Sequence, residues 1–214
     1  MVKVKKRWAK RIAAVTLACA LGAGAVGALV GCSSDSRSNS DEMSVAWTSN
    51  AGEYNLDPTN NYMGWQGSYL GIYEQLFRID ANFDPQPMLA ESAEMVNDTT
   101  WKITIREGVT FQNGNELNAQ AVADCLNRTI GMNERAKKSL DIASMEADGN
   151  VLTVTTNSLN TAFKNELSEP VASIIDVNSG AAEDEPVGTG PYKIDSVAGN
   201  GDVELSAYDS YWQG

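Results

Sequence analysis

The chain has 214 residues, is 43% hydrophobic and 21% charged, and carries a formal net charge of −12. That length admits one large domain or two small ones, and the composition is that of an ordinary globular protein. It contains no histidine, which excludes Ser-His-Asp and Cys-His catalytic arrangements and removes the commonest metal ligand.

The charge is unevenly placed. Lys3, Lys5, Lys6, Arg7, Lys10 and Arg11 precede every acidic residue, and beyond them ten bases face 28 acids, a net of −18. A body this acidic repels phosphate backbones, so nucleic acid is excluded as a partner. A solvated acidic surface accounts for the charge without any ligand.

The basic start leads into an apolar run over 12–30 and then Leu29-Val30-Gly31-Cys32. This order is that of a secretory signal peptide over 1–31 ending in a lipobox, with Gly31 as the small residue before the cleaved bond and Cys32 as the lipid-attachment thiol. The run is rich in Ala and Gly, which suits a cleaved signal better than a permanent span. The protein is therefore expected to be exported and lipid-anchored to the cell membrane. Residues 32–42 are Ser-rich and polar and read as a flexible tether. Of the three cysteines, only Cys125 belongs to the body. It shares a helical face with Val122, Leu126, Thr129 and Ile130, the setting of a buried structural thiol.

The body, 43–214, opens with a strand at 43–47. A long loop over 48–67 follows, rich in aromatic and amide side chains that suit small-ligand contact: Tyr54, Asn55, Asn60, Asn61, Tyr62, Met63, Trp65 and Gln66. Leu70, Tyr73 and Phe77 recur at helical spacing and predict a helix over 68–77. The stretch 84–114 reads as a hairpin. Its second strand alternates Trp101, Ile103 and Ile105 with Lys102, Thr104 and Arg106, and its turn is Asn97-Asp98.

Asn118 is a predicted N-cap for a helix over 119–130. Asn133-Glu134-Arg135-Ala136-Lys137-Lys138 is the body's one basic cluster, a solvated helical face. Asp148-Gly149-Asn150 turns a second hairpin. A short helix near 159–167 and a strand at 171–175 follow. Gly188-Thr189-Gly190 lacks the Lys-Ser/Thr of a nucleotide loop. A last strand spans 203–207.

Three blocks stand in order along this body: Leu89-Ala90-Glu91 through Trp101, Arg106-Glu107-Gly108-Val109, Phe111 and Asn113-Gly114; then Gly188-Thr-Gly-Pro-Tyr192; then Tyr208-Asp-Ser-Tyr-Trp212. Together they resemble extracytoplasmic solute-binding protein family 5, the oligopeptide, dipeptide and nickel-chelate receptors of ABC importers. The resemblance implies an α/β fold, periplasmic-binding-protein-like and class II-like. It implies the first lobe with an accessory β-rich subdomain at about 80–180, and the second lobe missing.

The implied function is capture of peptides or nickel chelates for a cognate ABC permease, by closure of two lobes over the ligand. Ligand-facing candidates are Met63, Trp65, Gln66 and Tyr69 before the hairpin and Arg135 after it. No catalytic residue, resident metal or cofactor is expected. An enzyme is disfavoured because the available carboxylates, Ser, Thr and Lys form no spaced constellation. The alternative is a lipid-anchored interaction module without a transport ligand.

Overall fold

The computed structural model describes residues 2–5, 42–45, 55–60, 63–181, 185–198 and 202–214. Ten strands and four helices are placed in these segments. They are β1 (Val2–Lys5), β2 (Glu42–Val45), α1 (Met63–Tyr69), β3 (Phe77–Ile79), β4 (Pro85–Pro87), β5 (Ala90–Asn97), β6 (Thr100–Ile105), α2 (Ala119–Met132), α3 (Glu134–Leu140), β7 (Ile142–Asp148), β8 (Val151–Thr156), α4 (Phe163–Glu166), β9 (Tyr192–Val197) and β10 (Val203–Ala207). A 3-10 turn, Pro170–Ala172, lies between α4 and β9.

Both expected hairpins form, the second at the predicted Gly149-Asn150 turn and the first with its turn at Asp98-Thr99, one residue beyond the expected Asn97-Asp98 because Asn97 still pairs with Thr100. They make one antiparallel sheet in the order β5-β6-β8-β7. Its inner face carries Trp101, Ile103, Ile105, Leu152 and Val154, all buried, while Lys102 on the opposite face is exposed. A one-residue slip would turn that whole apolar set to water, which is what pins the register. Helix α2 packs against β7 and β8, burying Val122, Cys125, Leu126 and Thr129. Asn118 caps it, its side chain accepting from the Ala121 N–H at 3.0 Å.

Cys125 Sγ lies 3.5 Å from the Ser173 carbonyl and accepts from the Ile175 N–H at 3.4 Å. Burial raises the thiol to a pKa of about 11. It is a core group rather than a nucleophile.

A second sheet runs β2-β1-β10-β9, with β1 parallel to β10 and antiparallel to β2. Val203 and Leu205 of β10 face the core. The rest of the segment read as signal and tether, Cys32 included, lies outside the described residues, as do residues 46–54 with the end of the expected 43–47 strand and Tyr54, then Asn61, Tyr62 and the side chain of Met63. Among the described residues no helix is long and apolar enough to cross a membrane.

Two expectations are corrected. Residues 68–77 are not a helix: α1 ends at Tyr69, Gly71 takes φ +69°, and the chain runs irregularly into β3. Leu70, Tyr73 and Phe77 are buried as expected, but the core holds them through chain reversals rather than a helical face. A Cβ on Gly67 would stand 2.0 Å from the Tyr73 ring, so the reversal needs that glycine. The expected strand at 171–175 is instead the 3-10 turn begun by Pro170, followed by one bridge, Glu74 to Ile174. Proline fits the first position of such a turn and denies an N–H to a ladder.

Candidate functional site

The Gly-Thr-Gly block is built for close backbone contact. A Cβ on Gly188 would lie 2.1 Å from the Ile72 carbonyl oxygen, and one on Gly190 would lie 2.2 Å from that of Gly71. The Gly190 N–H donates to Ile72 O and the Tyr192 N–H to Gly71 O. Gln112 seals the junction: its Nε2 reaches the carbonyls of Ile72 (2.7 Å), Gly190 (3.1 Å) and Tyr192 (2.7 Å), while its Oε1 accepts from the Gly188 N–H.

Beside this junction, buried Glu74 accepts from Thr189 Oγ1, Tyr211 Oη and Trp212 Nε1 at 2.7–2.9 Å. Burial pushes its carboxyl above the ordinary range, more than those three donors pull it down. Arg106 donates through Nε to the Met88 carbonyl and lies 4.8 Å over the Trp212 ring. Asp176 accepts from the side-chain amides of Asn113 and Asn115, each at 2.7 Å. The three sequence blocks are thus bound to one another and form scaffold.

An open cleft lies elsewhere among the described residues. It measures about 330 Å³ and is lined by Thr59, Asn60, Met132, Asn133, Glu134, Arg135 and Val171. Three pieces of chain converge there: the loop before α1, the junction of α2 and α3, and the 3-10 turn. Asn133 holds the first two together. Its Oδ1 caps α3 by accepting from the Ala136 N–H, and its Nδ2 donates to the Thr59 carbonyl, both at 2.9 Å.

Behind this wall sits Asp57, which accepts from Thr59 N and Oγ1 and from both Nη atoms of Arg128. Burial alone would raise the Asp57 carboxyl. The donors from Arg128 and Thr59, with the guanidinium charge, outweigh it and hold the group below its ordinary value. Arg135 is the one cation among the lining residues and pairs with Glu169 at 3.2 Å.

Of the five ligand-facing candidates, Arg135 lines the cleft. Trp65 and Gln66 are half-buried on α1 and Tyr69 is 75% exposed at its end. None of the three lines the cleft, although α1 packs against the 3-10 turn that supplies Val171. Reasoning from sequence passed over Thr59, Met132, Asn133, Glu134 and Val171. Asn133 alone carried a legible signal, an Asn directly before Glu-Arg-Ala at a helix start.

The model for bacterial extracellular solute-binding proteins, family 5 Middle, matches residues 84–214. The chain belongs to this family. Among curated relatives it is 34% identical over 146 residues to the nickel-binding protein NikA of Staphylococcus aureus, covering 68% of this chain and 30% of that protein. It is 32% identical over 155 residues to the glutathione-binding protein GsiB of Escherichia coli K12, covering 66% and 30% respectively.

Among solved structures, a nickel ABC transporter protein from Bacillus halodurans superposes with a TM-score of 0.72 at 39% identity, over 77% of this chain and 35% of that one. The fold is accordingly the periplasmic-binding-protein-like α/β fold of family 5. The chain spans about a third of these relatives' length or less.

Proposed function

We propose that this chain is the solute-capturing component of an ABC importer, taking nickel chelates or small peptides outside the cytoplasmic membrane and delivering them to a cognate permease. Its solute rests in the cleft at the start of α3 and meets Arg135 there, with α1 (Met63, Trp65, Gln66, Tyr69) flanking it. The observation that carries this reading is the cleft itself: one cation (Arg135), one carboxylate (Glu134), the amides of Asn60 and Asn133 and the hydroxyl of Thr59, beside Met132 and Val171, on a scaffold whose relatives are named for binding rather than for catalysis. Converging amides, a hydroxyl and one cation give a concave site the polar groups that fix a small ligand's orientation. Lipid on Cys32 tethers the protein to the membrane after cleavage of 1–31, which takes β1 out of the second sheet and leaves β10 paired with β9.

In this reading residues 1–214 by themselves, which span about a third of their relatives' length, bind weakly, because hinge closure over the ligand supplies much of a two-lobed receptor's affinity. The test is an amide-resolved NMR titration with nickel(II)-L-histidine and with a set of short peptides. Weak, saturable shifts centred on Thr59, Asn60 and Arg135 are expected. Shifts centred elsewhere, or none, would overturn the assignment of the cleft, and micromolar calorimetric affinity would overturn the weak binding. For the tether, Cys32→Ala is expected to leave an unprocessed, unlipidated precursor; normal processing of that variant would sink it.

A further inference from the structure

The cation proposed to meet the solute already has a partner. Arg135 Nη2 lies 3.2 Å from Glu169 Oε2, and both side chains stand substantially in solvent, at 58% and 41% exposure. The two are 34 residues apart, one on α3 and the other immediately before the 3-10 turn that gives the cleft Val171. Their backbones are held firmly. Arg135 follows a capped helix start that Asn133 ties to Thr59. Glu169 is extended (φ −70°, ψ 141°) ahead of Pro170, which restricts it to that region, and its carbonyl accepts from the Ala172 N–H. Only the side chains are free to exchange partners.

We propose that Glu169 is a built-in competitor that sets the selectivity of the cleft: a solute carboxylate binds by displacing the Glu169 carboxylate from Arg135. This rests on the reading of the cleft as the solute site. An exposed ion pair is weak, screened and readily exchanged, whereas a guanidinium offers a carboxylate two parallel donors. With Glu134 also lining the cleft and a strongly acidic body around it, Arg135 paired to Glu169 offers no net attraction to a stray monoanion. A solute must bring contacts to the rest of the cleft as well as its carboxylate. Selectivity therefore comes from a cost imposed on simple anions as well as from attraction to the right solute.

The experiment is a titration of the full chain and of Glu169→Gln, following the Arg135 Nε–H signal together with the Thr59 and Asn60 amides. The probes are glutathione, glycylglycine and, as the carboxylate-free control, glycylglycine amide. Glu169→Gln should bind both carboxylate probes about two- to five-fold more tightly, the factor that an exposed ion pair represents. It should leave the amide control and the melting temperature unchanged. Equal midpoints in the two proteins, with Thr59 and Asn60 still responding, would overturn the competitor role and leave the solute site standing. Equal gains for the carboxylates and the amide would also overturn it. Silence at all three positions in both proteins would overturn the solute site and the competitor together.

Discussion

Arg128 donates to both carboxylate oxygens of Asp57, at 3.1 Å from Nη1 to Oδ1 and again from Nη2 to Oδ2, across 71 positions of sequence. The pair joins α2 to the loop that supplies Thr59 and Asn60, so it sets the back wall of the cleft. Arg128→Met strands a buried carboxylate and is expected to cost about 3 kcal/mol in urea unfolding. Because Asp57 is held below its ordinary value in the folded chain, its contribution is fully present above the unfolded pKa and is lost as pH falls through the lower folded one. The stability gap between the native protein and Asp57→Asn should therefore shrink progressively below about pH 4. A gap that is constant with pH would refute the assignment.

Asn133 does two separable jobs. Asn133→Asp keeps an acceptor for the Ala136 N–H but loses the donor to the Thr59 carbonyl, whereas Asn133→Ala loses both. Alanine should cost about 1 kcal/mol through the cap. Aspartate should leave α3 intact yet speed hydrogen exchange around residues 59–60. Equal exchange in that loop for the native protein and Asn133→Asp would show that the tie to Thr59 carries no weight.

The contact of Gly188 and Gly190 with the 71–72 backbone leaves no room for a methyl group. Either Gly→Ala substitution is expected to cost about 3 kcal/mol through overpacking against carbonyl oxygens that cannot move aside. The measurement is a melting temperature, and a loss of a degree or less would contradict the packing described.

Glu74 works in the opposite sense to Asp57. Its folded pKa is raised by burial, so its stabilising share is fully present below the unfolded pKa and declines as pH rises through the folded value. Glu74→Gln should flatten that decline while still accepting from Thr189 and Trp212. Glu74→Ala should cost about 3 kcal/mol by leaving buried donors without an acceptor. Unfolding curves between pH 4 and 8 for the two variants decide it, and identical pH dependence in Glu74→Gln and the native protein would refute the claim.

The hairpins and α2 were legible because each residue's environment follows from its neighbours. Trp101, Ile103 and Ile105 alternate with polar residues on a two-residue period, and Asn118 announces a helix by bonding three residues onward. Residues 68–77 misled because burial mimicked helical spacing: Tyr73 is buried by stacking on Gly67, a constraint set by a chain reversal rather than by a period. Pro170 did announce a break in the expected 171–175 strand, but the apolar run after it masked that signal. The cleft was only half legible. The loop before α1 and Arg135 both stood out by residue type. What joins them is the Asp57–Arg128 pair and the Asn133–Thr59 bond, which span more than 70 positions and leave no local pattern.

The clasp on Glu74 has a consequence for the order in which the chain can mature. Its partners Tyr211 and Trp212 come 137 and 138 residues later, and Gly190, which bonds to Ile72, is made more than a hundred residues after it. A polypeptide growing from its N-terminus meets Glu74 early and must carry that carboxylate unsheltered until nearly all of the family-matched segment has been made. Closure of such distant contacts is slow. In the exported protein proposed above, a core that cannot shut until Tyr211 and Trp212 have been made keeps the preceding stretch threadable up to that point.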